Sequence, residues 1–97
     1  MHLDHDEEDY NLSLSKFESM LKTNKVFFFD SEEFEEIILH YLDIGKANLA
    51  KKALKLGLDQ HPKSTGLKLV QVEMLVYDDK LDQAEKLLNE LYAIEPT

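Results

Sequence analysis

The feature that most constrains this chain is that its last third repeats the third before it. A shift of 34 residues lays Lys46 on Lys80, Ala50 on Ala84, Lys52 on Lys86, Leu54 on Leu88 and Pro62 on Pro96. The same shift lays Asp30 on Ser64, both residues that start helices well. Self-similarity at a fixed period is the mark of stacked supersecondary units, each burying an apolar face against its neighbour. A length of 97 residues gives such a stack one modest core and excludes a two-domain enzyme.

Local signals turn the period into helices. Asp30-Ser31-Glu32-Glu33 is a helix start in which Asp30 caps and Glu33 reaches back, and Phe29 faces Phe34 across the cap as a hydrophobic staple. Phe34, Ile37, Ile38, Tyr41 and Leu42 then recur at helical spacing up to Gly45. Ala47 to Leu58 is a second helix with Leu49, Ala50, Ala53, Leu54, Gly57 and Leu58 inward and Lys51, Lys52 and Lys55 outward, stopped by Pro62. Ser64 caps a third, Leu67 to Tyr77, which is apolar nearly all round and is expected to be covered on more than one side. Asp78-Asp79 is a turn, and Leu81 to Ile94 is the last helix. Upstream, Ser15-Lys16-Phe17-Glu18 reads as a capping box opening a short helix that stops near Asn24. Val26-Phe27-Phe28-Phe29 has no second strand to pair with, so it is expected to be a loop whose aromatics plug the core.

In this pattern the chain resembles the tetratricopeptide repeat (TPR) family of paired helices. Phe34 stands where that family favours Trp, Ile37 at its Leu position and Tyr41 at its Tyr position. Ala50 and Gly57 match its small residues, and Pro62 its terminal Pro. The second unit keeps Leu75, Ala84, Leu88 and Pro96, and departs at Lys68, Gln71 and Leu91. The resemblance covers residues 31–96. It implies an all-α fold: a right-handed superhelical stack of two TPR-like pairs, 31–64 and 65–97, closed at its N-terminal end by a capping helix and aromatic loop over 12–29. Residues 1–11 are expected to be an acidic, disordered tail. No equivalent closure follows at the other end, where Leu87, Leu91 and Tyr92 are expected to be left uncovered as an open-end interface.

Charge excludes several functions. Twenty acidic residues against eleven lysines and arginines give a net charge of −9, which opposes sequence-independent binding to nucleic acid or an anionic membrane. No apolar run approaches the ~20 residues of a membrane span. There is no cysteine, and the acidic N-terminus is the reverse of a basic, apolar signal peptide, so a cytoplasmic location is expected. Phosphate loops, nucleophile elbows and His-Glu-x-x-His motifs are all missing, and the chain is read as neither an enzyme nor a cofactor carrier. His2 and His5 among Asp4, Asp6, Glu7, Glu8 and Asp9 have metal-ligand chemistry, but a flexible tail would lose ordering entropy on binding, and no metal site is assigned. His40 reads as a surface partner of Glu36, and His61 as a turn residue before Pro62.

What remains is a surface for a protein or peptide. In the resembled family the first helix of each pair lines a concave groove. Carried over, the groove positions are Glu32, Glu35, Leu39, Leu42 and Asp43, then Leu69, Glu73, Val76 and Tyr77. Acids and aliphatics replace the basic residues with which that family grips terminal carboxylates, so the expected partner is a basic or amphipathic segment. The competing reading treats these acids as solvated and the aliphatics as core. The expected function is non-catalytic protein–protein interaction, as the N-terminal part of a larger repeat scaffold. The alternative is self-association, as a homodimer, through the open end.

Overall fold

The computed structural model describes the backbone of residues 5–94 and the side chains of residues 12–93. Five α-helices make up the described residues: α1 (His5–Lys22), α2 (Ser31–Asp43), α3 (Ala47–Gln60), α4 (Thr65–Tyr77) and α5 (Leu81–Ile94). There is no strand among them, so the all-α expectation holds. Helix α2 packs on α3 and α4 on α5, with α2 and α3 both touching α4 and α1 resting on α2.

The 34-residue period is written into the backbone hydrogen bonds. Between α2 and α3, the N–H groups of Ile44, Gly45 and Lys46 donate to the carbonyls of His40, Leu42 and Tyr41. Between α4 and α5, those of Asp78, Asp79 and Lys80 donate to Met74, Val76 and Leu75, the same three bonds 34 residues on. Each turn needs one left-handed residue, and it falls at matching places: Gly45 at φ 77° and Asp79 at φ 62°. Glycine adopts that conformation without steric cost, while Asp is among the few others that tolerate it.

Both helix-start signals operate. Glu33 Oε1 accepts the Asp30 backbone N–H at 2.9 Å, and Ser64 Oγ accepts the Leu67 N–H at 3.2 Å. The staple is present too, with the Phe29 and Phe34 rings edge to face at 5.2 Å. The core is one cluster in which Phe17, Phe34, Ile37, Ile38, Tyr41 and Leu67 are fully buried side chains. At Gly57, an added Cβ would stand 3.0 Å from Phe34 Cγ and 3.2 Å from Leu67 Cδ1, which marks the close crossing of α2, α3 and α4.

Four expectations need correction. Helix α1 does not begin at Ser15 but runs from His5, so Ser15 lies inside it and the expected capping box is not used. No glycine or proline interrupts residues 5–22, and Glu18 instead accepts the Tyr41 hydroxyl at 3.0 Å. Of the region read as a tail, residues 5–11 are helical backbone, while residues 1–4 lie outside the described residues. The aromatic loop only half plugs the core: Phe29 is buried and Phe27 partly so, but Phe28 is 78% exposed. An extended segment alternates its side chains, so consecutive aromatics cannot all turn inward.

Helix α4, by contrast, is covered on more than one side as expected, by α2, α3 and α5, while Leu69 and Val76 on it stay exposed. Finally, Leu87, Leu91 and Tyr92 do not form one uncovered patch. Leu91 is buried, Leu87 half-buried and Tyr92 exposed. Leu91 takes the place that Gly57 holds one period earlier, on the inner side of α5 with Ala84. Tyr92 is about 100° further round the helix.

Candidate functional site

The charged and apolar side chains singled out on α2 divide among three environments. Leu39, Leu42 and Asp43 come together, joined by Glu36 and His40, around an open concavity of about 560 Å³. Leu39 is 46% exposed here, whereas Leu42 also packs against the core. Glu36 and His40 complete a set spaced i, i+3, i+4 and i+7 with Leu39 and Asp43. That helical spacing was available to find them, although neither was assigned to the groove. His40 meets Tyr41 edge to face, with ring centres 5.4 Å apart.

Glu32 belongs to a second concavity, lined by Leu12, Ser13, Lys16, Asp30, Glu33 and Glu36 where α1 meets the start of α2. Within it the buried Ser13 hydroxyl donates to Glu33, which also takes the Asp30 N–H. Burial acts to raise the Glu33 pKa. The Ser13 and Asp30 hydrogen bonds and the nearby Lys16 charge outweigh it, and the carboxyl is held below its ordinary range. Glu33 is therefore structural, a joint between two helices.

Glu35 departs from its groove assignment. Its carboxylate turns onto the first turn of α4, with Oε2 2.5 Å from where a Cβ of Gly66 would stand. Burial, with the charges of Glu32 and Glu36 added, pushes its pKa up. Leu69, Glu73, Val76 and Tyr77 are all exposed on α4, with Tyr77 at 65%. None of them lines the concavity around Leu39. The nine expected groove residues do not share one concavity. Three lie in the α2 concavity, Glu32 and Glu35 lie elsewhere on α2, and four stand on α4.

Two residues with structural roles left no sequence signal. The Gln60 side chain at the end of α3 donates to the Phe27 carbonyl at 2.8 Å and accepts the Phe29 N–H at 3.1 Å. His61 Nε2 contacts the Phe29 carbonyl oxygen at 2.6 Å, so the end of α3 clamps the aromatic loop by its backbone. Lys16 adds a cation over the Phe29 ring at 5.4 Å. The acidic cluster around His2 and His5 lies outside the residues whose side chains are described. Among the described residues no helix is long and apolar enough to cross a membrane.

Compared with protein-family models, curated proteins and solved structures, the chain has no significant match.

Proposed function

We propose that this chain is a non-catalytic protein-interaction module, built as a TPR-like right-handed stack of two helix pairs closed by α1, and acting in the cytoplasm. The observation that carries the reading is the concavity on α2. It combines an exposed leucine, Leu39, with Glu36 and Asp43, and has no lysine in its lining. An acidic rim around aliphatic side chains suits a basic or amphipathic segment of another protein, drawn in electrostatically and held by apolar contact. The lysines of α3 outside this lining, Lys51, Lys52 and Lys55, are all exposed. Lys51 is tied to Asp78 at 2.9 Å.

The test is a double substitution, Leu39→Ser with Asp43→Lys, at two exposed positions. Its melting temperature should match the parent. Proteins recovered with the parent chain from lysate should be lost with the variant, and recovery should fall as salt rises. Recovery of the same proteins by both would end the reading. Glu35 is not a useful site for this test, because its carboxylate lies against α4.

A further inference from the structure

The segment that links α1 to α2 differs in charge from the chain around it. Residues 19–29 hold Lys22 and Lys25 and no acid, in a chain whose net charge is −9. Both lysines are exposed, and after them Val26 and Phe28 turn apolar side chains outward. At 78%, Phe28 is the most exposed large apolar residue among the described side chains. Its position is held from both sides. Gln60 bonds the Phe27 carbonyl and the Phe29 N–H, and His61 Nε2 contacts the Phe29 carbonyl oxygen. An aromatic ring on a backbone already tied down loses little freedom when it enters a pocket, which makes it an efficient anchor.

The α2 concavity has the complementary chemistry. Glu36 and Asp43 stand beside Leu39 and Leu42 around about 560 Å³ of open space, with no lysine in the lining. Phe28 cannot fill the concavity of its own chain. Leu39 follows the cap Asp30 by nine residues, about 14 Å along the helix at its ordinary rise. The tied backbone on either side of Phe28 stays at the other end of α2, so loop and concavity meet only between copies. An anionic membrane would also attract lysines beside an aromatic, but the net charge of −9 opposes it.

We infer that the Lys22–Phe28 loop of one copy docks in the α2 concavity of a second copy. Phe28 and Val26 enter against Leu39 and Leu42, and the two lysines meet the carboxylates of Glu36 and Asp43. The contact joins two different patches of the chain, so it builds either a reciprocal pair or a head-to-tail series. It also occupies the place where a basic segment of another protein would bind, so self-association and partner capture compete. The inference rests on the concavity being a binding site, as proposed above, and adds its first occupant.

Sedimentation velocity over a concentration series reads the assembly. The parent chain should gain mass with concentration and return to monomer as salt rises. A loop variant, Lys25→Ser with Phe28→Ser, and the concavity variant, Leu39→Ser with Asp43→Lys, should each keep the helix content and be monomeric. Mixed in equal amounts, they should form a heterodimer and nothing larger, because one intact loop and one intact concavity remain between them. That pairing should be at least about tenfold tighter than self-association of either variant. A parent that stays monomeric, an oligomer that survives either double substitution, or a mixture that does not associate would overturn the inference. Binding of the parent to phosphatidylserine vesicles that Phe28→Ser abolishes would also overturn it, and would give the loop to a membrane. The reading of the concavity as a binding site fails on a different result, the recovery of the same lysate proteins by the parent and the concavity variant.

Discussion

Replacing Gly57 with alanine sets two effects of known sign against each other. Alanine is the better helix former, worth about 0.5–1 kcal/mol in a helix interior. Its methyl would lie 3.0 Å from Phe34 Cγ and 3.2 Å from both Phe34 Cβ and Leu67 Cδ1. Those Phe34 atoms are near the backbone, and the ring is held by Phe29 at 5.2 Å and His61 at 6.1 Å. Phe34 and Leu67 are both fully buried, so neither has free space to retreat into. Overpacking of this kind costs about 1–3 kcal/mol, so packing outweighs propensity and the net loss is about 0.5–2 kcal/mol. In a domain of this size each kcal/mol lowers the melting temperature by about 4–8 °C.

Thermal unfolding followed by circular dichroism reads the loss directly, and the other two glycines are internal controls. Gly66→Ala meets only the mobile end of Glu35 and should be neutral or slightly stabilising. Gly45→Ala has open space around it but a φ of +77°, so its cost of about 1 kcal/mol is conformational. Gly45→Asn should recover most of that cost. A Gly57→Ala protein that melts at or above the parent temperature would refute the reasoning.

Ala50→Leu and Ala84→Leu, at the two matching buried positions, should each cost about 1–3 kcal/mol, measured by urea unfolding. Gln60→Ala removes the two Gln60 hydrogen bonds to the aromatic loop, and amide exchange at Phe29 should speed up without comparable change in α4. Glu33 sits below its ordinary pKa in the folded chain, so its contribution to stability is complete above the unfolded value of about 4.3. It is lost as pH falls through the lower folded value. Glu33→Gln should therefore flatten the acid limb of the stability profile, and Ser13→Ala should do so in part.

What was legible in the sequence was what short-range chemistry specifies. Asp30, Glu33, Ser64 and the Phe29–Phe34 staple act within a few residues of one another, and each operates as its spacing implies. The matching turns at Gly45 and Asp79 were half legible. Glycine announces a left-handed residue, whereas Asp79 reveals one only by its place in the period. The Ser15 capping box misled because its residue types fit a helix start, yet nothing upstream breaks the helix and Tyr41 claims Glu18. The Gln60 and His61 clamps join residues 31 to 33 apart through side chain and backbone, which leaves no periodic trace. On the candidate surface, Leu39, Leu42 and Asp43, carried over from the family resemblance, do line one concavity. Helical spacing could not show that Glu35 folds onto Gly66, because that contact depends on how α4 crosses α2.

Helix α5 touches one other helix, α4, whereas α2 touches three. Cohesion in such an arrangement is passed from neighbour to neighbour, and the last member can detach without dismantling the rest. Opening α5 exposes the α4–α5 seam alone and leaves the Phe17–Phe34–Tyr41 centre intact. Amide protection should therefore decline from α2 toward α5, as a gradient rather than a single plateau. A ligand seated across α4 and α5 would close that opening. Its binding would be reported most strongly by the amides of α5, through the suppression of a local unfolding reaction and with little change in the average structure.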